Sequence, residues 1–214
     1  MSAWVVLLIA GAAVASIDWW AVATEHRRVE YVAKPLAMVL LLGVAATAGD
    51  PGADIRVWLV IGAALGLVGD IALLGDGEVQ FMVGLGAFAV GHLAYAVAAL
   101  RVGFDPLWAL IGLAFMAVLF GYRFASRTVP GARRLGGPVL AVAVVLYAGV
   151  ITAMAVTAWG TGVVVAGIGA IAFAVSDWVL GHRRFVGPLP GGRLSVIVPY
   201  HVGQALLIVG LATS

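Results

Sequence analysis

The sequence predicts an all-α fold, a polytopic membrane protein whose 214 residues form a single bundle of eight transmembrane helices. Three observations carry that reading. Hydrophobic residues make up 64% of the chain and charged residues only 10%, far from the soluble average. Apolar segments of spanning length recur from one end to the other. The connections between them are short, which excludes a water-facing domain of any size and makes residues 1–214 one transmembrane domain.

A helix needs about 20 mainly apolar residues to cross a bilayer. The first such segment, 3–22, lacks the basic leader of a secretory signal although Ala21-Val22-Ala23 resembles a cleavage site, so it is read as a retained helix. The second, 32–48, is the shortest and opens at Lys34-Pro35, where proline suits a first helical turn. The third, 56–74, carries Asp70 directly after the charge-free stretch 57–69. The fourth, 79–100, carries His92 in its interior, and the fifth follows at 106–125. The sixth, 137–158, lies within a charge-free run from 135 to 176, and that run ends inside the seventh, 162–180, at Asp177. The eighth, 195–212, holds Pro199 early and is expected to bend or begin there.

Eight crossings put both termini on one side. The opposite loops then hold Arg27, Arg28, Lys34, Arg123, Arg127, Arg133, Arg134, Arg183, Arg184 and Arg193, against only Arg56 and Arg101 on the terminal side. The positive-inside rule therefore predicts an integral membrane protein with both termini non-cytoplasmic. All seven tryptophans fall near span ends, as an aromatic belt requires. With a formal charge of only +2 and the arginines in loops, membrane orientation explains the basic residues better than nucleic acid does. The absence of cysteine excludes disulfides and thiolate chemistry. Val68-Gly69-Asp70-Ile71-Ala72-Leu73 resembles Val175-Ser176-Asp177-Trp178-Val179-Leu180 at an offset of half the chain, which suggests a parallel 4+4 internal repeat.

A carboxylate at the centre of a bilayer costs roughly 2.5–3.5 kcal/mol even on the mildest scale and is usually functional. On the predicted topology, Asp70, Asp177, Lys34, Tyr200, His201 and Gln204 reach one depth in the cytoplasmic half, with His92 somewhat deeper. Helical spacing turns them inward. Gly62, Gly66 and Asp70 share one stripe, Ala166, Gly169, Ala170, Phe173 and Asp177 another, and Phe81, Leu85, Phe88, His92 and Tyr95 a third. The picture is a polar chamber open toward the cytoplasmic interface. Simpler roles exist for each residue: the aspartates as caps or loop partners at the water boundary, His92 as a core histidine, Lys34 as a snorkelling lysine. Asp18, beside Trp19 and Trp20, reads as interfacial, with a place in the site as the alternative, and His182, Arg183 and Arg184 read as a topogenic basic cluster.

The same residues form blocks. These run through Lys34-Pro35-Leu36, Gly69-Asp70, Phe81-x-x-Gly84-Leu85-Gly86-Ala87-Phe88, Gly91-His92-Leu93-x-Tyr95, Ser176-Asp177 and Tyr200-His201-Val202-Gly203-Gln204. In them the chain resembles the YhhN-type lysoplasmalogenase family of eight-helix membrane proteins. The resemblance implies a hydrolase that cleaves the vinyl ether bond of a lysoplasmalogen, releasing a fatty aldehyde and a glycerophospho-ethanolamine or -choline. It implies a lysophospholipid substrate and membrane lipids as partners. One departure is His201, where the family tends to have a second tyrosine before the glutamine.

A vinyl ether hydrolyses by protonation of its β-carbon, attack of water on the oxocarbenium ion, and collapse of the hemiacetal. That chemistry needs one neutral carboxylic acid and one group to stabilise the cation or activate the water. Low dielectric favours a neutral carboxyl group, and glycosidases set two carboxylates against an oxocarbenium-like transition state. Asp70 and Asp177 are the candidate pair, either able to be the acid, with His92 and Tyr200 orienting them. Lys34 is the candidate for the substrate phosphate, and Tyr95, Ser176, His201 and Gln204 complete the expected binding surface. No metal or other cofactor is required. Two rivals use the same residues differently. A zinc hydrolase would gather His92, His201 and an aspartate around a metal-bound water. A proton-coupled transporter would need a polar path across the membrane, whereas these residues gather on one side.

Overall fold

The computed structural model describes residues 1–214 and is helical throughout. Its elements are α1 (Ala3–Ala23), α2 (Arg27–Thr47), α3 (Ala53–Leu73), α4 (Glu78–Val102), α5 (Pro106–Leu119), a π-helical turn (Phe124–Thr128), α6 (Val129–Gly160), α7 (Val164–Phe185) and α8 (Leu194–Ala212). Seven helical runs are long and apolar enough to cross a membrane, where the sequence predicts eight separate spans. The difference arises in one place. α5 has only 14 residues and leads through the π-helical turn into α6, so that Pro106–Gly160 forms one helical stretch of 55 residues.

That run is not a straight rod. α5 and α6 pack against each other, and α6 breaks at Gly136 and Gly137. Gly137 has φ +69° and ψ −167°, a conformation essentially confined to glycine. α5 itself starts sharply, because Pro106 occupies its first turn and the Asp105 carboxylate accepts from the Leu107 N–H at 2.8 Å.

One expected boundary is corrected. α2 begins at Arg27, so Lys34-Pro35 lies well inside it rather than at its start. The polar composition of its first two turns disguised them as a loop, and Pro35 forgoes only the hydrogen bond to the Tyr31 carbonyl. α8 runs through Pro199 from Leu194, within one residue of its expected start, so the helix does not begin at the proline.

The most extensive helix contacts are α3 with α4 and α7 with α8. Both rest on small residues. A Cβ at Gly62 would lie 2.5 Å from the Tyr95 ring, and one at Gly169 would lie 2.4 Å from the Leu207 backbone nitrogen. A contiguous core of buried apolar side chains draws on all eight helices. At one end of the bundle the Asp105 N–H donates to the Gly160 carbonyl, and Gly49 backs onto Ala212. The other end carries the α1–α2, α3–α4 and α7–α8 connections together with Arg27, Arg183, Arg184 and Arg193. The candidate site lies toward that arginine-rich end.

Candidate active site

Asp70 is buried near the end of α3. Its Oδ1 lies 3.2 Å from the Lys34 Nζ on α2, and its Oδ2 accepts from the Tyr200 hydroxyl on α8 at 2.7 Å. Behind Tyr200 stands Gln204, whose amide donates weakly to that hydroxyl at 3.5 Å and whose Oε1 accepts from Tyr95 at 2.7 Å. Gly66 leaves room for this amide, since a Cβ there would lie 2.8 Å from Nε2. Four helices thus converge on one carboxylate.

Asp177 has a separate set of partners. Its Oδ2 accepts from the Tyr147 hydroxyl on α6 at 3.1 Å and lies 3.5 Å from the His92 Nε2 on α4. His92 packs with its ring centroid 4.5 Å from that of Phe173. Phe173 and Phe88 both stand edge-on to Tyr200. These rings form a wall between the two networks, and the aspartates share no hydrogen bond across it.

Two cavities approach this arrangement. At the arginine-rich end a cavity of about 390 Å³ is lined by Glu30, Lys34, Phe81, Arg183, Arg184 and Arg193, among others. Arg27 and Tyr31 both donate to the Leu74 carbonyl and so fix the α3–α4 turn beside it. A narrower apolar pocket of about 30 Å³ has Leu85, Phe120, Val144, Tyr147 and Asp177 on its walls. Phe81 and Leu180 line both, so a charged mouth adjoins an apolar slot with a carboxyl group at its side.

The model of the YhhN family matches residues 29–211. The chain belongs to the YhhN family. It is 31% identical to lysoplasmalogenase TMEM86A of Bos taurus over 73% of this chain and 65% of that protein. Identity to lysoplasmalogenase TMEM86B is 33% in Mus musculus, over 79% of this chain and 70% of the relative. In Sus scrofa it is 30%, over 84% and 72%. The chain therefore spans 65% of the length of the TMEM86A relatives, a little under two thirds. No solved structure matches it.

Within this YhhN chain, the residues singled out from sequence separate into groups. Lys34, Asp70, Tyr95, Tyr200 and Gln204 form one network, and His92 joins Asp177 in the other. Of these, Lys34 and Asp177 reach the two cavities. Ser176 is occupied elsewhere, donating to the Val196 carbonyl at 2.8 Å and tying α7 to α8. His201 turns toward α1, where its Nδ1 accepts from the Trp19 indole at 3.0 Å. No three His, Cys, Asp or Glu side chains lie close enough to form a metal site, and His92 and His201 sit in different surroundings.

Three groups were missed or misread. Tyr147 reaches Asp177 from the middle of a charge-free run, where its mid-span hydroxyl was the only signal. Asp18 is fully buried rather than interfacial, within electrostatic range of Lys34, and neither carboxylate oxygen has a hydrogen-bond partner. Glu30, one helical turn before Lys34, is buried and ion-paired with Arg193 and Arg27.

Proposed function

We propose that this chain is a membrane-embedded hydrolase of the vinyl ether bond of lysoplasmalogens, using Asp177 as general acid and Asp70 as the charged partner. The observation that carries this reading is the carboxyl group of Asp177 on the wall of an apolar slot that adjoins a charged cavity. A single-chain phospholipid has that polarity, with a headgroup for the mouth and the vinyl ether end of its alkenyl chain at the narrow slot. The names of the TMEM86A and TMEM86B relatives support the same substrate class.

The roles follow from the surroundings. Asp177 has only the Tyr147 hydroxyl and His92 in contact, an environment suited to a neutral acid. Asp70 is paired with the Lys34 ammonium, which suits a carboxylate. Asp177 delivers its proton to the β-carbon, and the C=C electrons form the new C–H bond. Water then adds to the oxocarbenium carbon and returns its proton to the aspartate. The hemiacetal C–O bond breaks to leave aldehyde and glycerol hydroxyl, so one water is consumed and the acid is regenerated. The Asp70 charge stabilises the cation through the intervening aromatic wall, held in place by Tyr200. A positioned general acid contributes about 10²–10⁴-fold.

The architecture is part of the same reading. The α5–α6 run crosses twice, giving eight crossings in one domain with both termini non-cytoplasmic and the site toward the cytoplasmic half. The contact between α5 and α6 and the break at Gly137 support the double crossing. A parallel 4+4 repeat is supported by the partner pattern. Asp70 takes Lys34 from the helix before it and Tyr200 from the last helix of the other half. Asp177 takes Tyr147 from the helix before it and His92 from the last helix of the first half.

The test is aldehyde release from a defined lysoplasmalogen by the purified chain, beside Asp70→Asn and Asp177→Asn. Turnover by the wild type and none by either folded variant is expected. A folded wild type that releases no aldehyde, or variants with full activity, would overturn the proposal.

A further inference from the structure

We propose that Arg183 and Arg184, at the C-terminal end of α7, form a subsite for the phosphodiester of a lysophospholipid headgroup. This rests on the hydrolase reading above and relocates the phosphate from Lys34. The cavity at the arginine-rich end carries four cations, Lys34, Arg183, Arg184 and Arg193, against Glu30 and Asp76. Most of these charges are already engaged. Lys34 faces Asp70, Arg193 faces Glu30, and Asp76 pairs with Arg27. Arg183 and Arg184 make no ion pair or side-chain hydrogen bond within the chain, yet both line the cavity.

Their setting suits an anion. The Arg184 guanidinium lies over the Phe81 ring at 4.9 Å, which fixes its plane without using its N–H groups. A planar guanidinium matches a phosphate with paired hydrogen bonds, which an ammonium does not. The negative end of the α7 dipole stabilises both cations in its last turn. Topogenic arginines need only lie on the correct side of the membrane. That requirement does not explain why two unpaired ones border the same open-mouthed cavity.

The cavity's neighbour supplies the register. Phe81 and Leu180 wall both the basic cavity and the apolar slot holding Asp177. A phosphate at Arg183 and Arg184 with the first carbons of the aliphatic chain at the slot brings the ether linkage to their junction, beside the acid.

The test is binding, so that it does not depend on turnover. A saturated 1-O-alkyl lysophosphatidylcholine and the matching 1-O-alkylglycerol are titrated against the purified full chain in detergent, with Arg183→Gln/Arg184→Gln and Arg183→Lys/Arg184→Lys beside the wild type. Affinity for the lysophospholipid should fall by about 10-fold or more in the glutamine variant, the scale of lost charge-assisted hydrogen bonds. The lysine variant should recover part of it, and alkylglycerol affinity should stay unchanged, which also reports that the variants are folded. Glycerophosphocholine should displace the lipid at lower concentration than inorganic phosphate, identifying the headgroup rather than a free anion as the ligand. Equal losses for both lipids, no loss for either, or preferred displacement by inorganic phosphate would overturn the subsite. Selective binding by a wild type that cleaves no vinyl ether would instead uphold the subsite and overturn the hydrolase reading.

Discussion

Lys34→Met separates the two ways of reading the Asp70 network. The substitution keeps the length of the side chain and removes the ammonium 3.2 Å from Asp70. It strands a carboxylate whose side chain is 1% exposed, leaving the Tyr200 hydroxyl as its hydrogen-bond partner at 2.7 Å. Breaking a buried ion pair by removing one partner costs about 3–5 kcal/mol, whereas replacing both partners by neutral groups is often neutral or stabilising. The surviving Tyr200 bond places the single variant near the low end, about 3 kcal/mol. Adding Asp70→Asn should then recover most of that loss, a coupling of about 2 kcal/mol that a double-mutant cycle isolates. The readout is reversible unfolding in mixed detergent followed by helical circular dichroism. A single variant as stable as wild type, or a double variant no more stable than the single, would refute the ion pair as the element that holds Asp70.

Further expectations follow from the second network, the packing and the topology. Tyr147→Phe removes one hydroxyl donor from Asp177 and should lower kcat by about 2- to 10-fold with KM unchanged, the worth of one neutral hydrogen bond of about 0.5–1.5 kcal/mol. Gly169→Ala places a methyl 2.4 Å from the Leu207 nitrogen and should cost about 1–3 kcal/mol in the same unfolding assay. Gly86→Ala, with nothing within 4 Å of its added Cβ, should be neutral or slightly stabilising. The chain has no cysteine, so single cysteines at Ser126 and Ser214 can be labelled cleanly with an impermeant maleimide. They should react from opposite sides of the membrane, Ser126→Cys from the cytoplasm, and labelling from one side would break the eight-crossing arrangement.

The helical, membrane-spanning class was legible because a helix in lipid must satisfy its backbone within itself and hide little polarity, which leaves long apolar runs in the sequence, whereas the α5–α6 stretch was not separated into two spans by the structure. Where polarity enters a helix, the boundary blurred. The first turns of α2 carry Arg27, Arg28 and Glu30 and so looked like loop. Asp70 and Asp177 stood out because each ends a charge-free stretch. Helical spacing then brought Tyr95, Tyr200 and Gln204 to the right depth. What spacing does not encode is rotation between neighbouring helices. One chamber was expected, yet the rings of Phe88 and Phe173 divide it in two. Asp18 was assigned to the interface on the evidence of Trp19 and Trp20, but a residue's depth says nothing about which helices cover it. Ser176 and His201 lie in the blocks of the resemblance, but their partners across the α7–α8 and α1–α8 contacts are not encoded in spacing.

The half of the bundle away from the arginine-rich end has a different consequence. There Leu59, Ala63, Met154, Leu207 and Ile208 are all at 0% exposure, and none of them is ionisable. Buried carboxylates and histidines reachable from both faces would form a proton wire and dissipate the electrochemical gradient across the membrane. A blind pit above a dry floor avoids that short circuit. The small side chains that let the helices close together on one half thereby act as electrical insulation, which would let the proposed acid chemistry run inside a membrane that must hold its voltage.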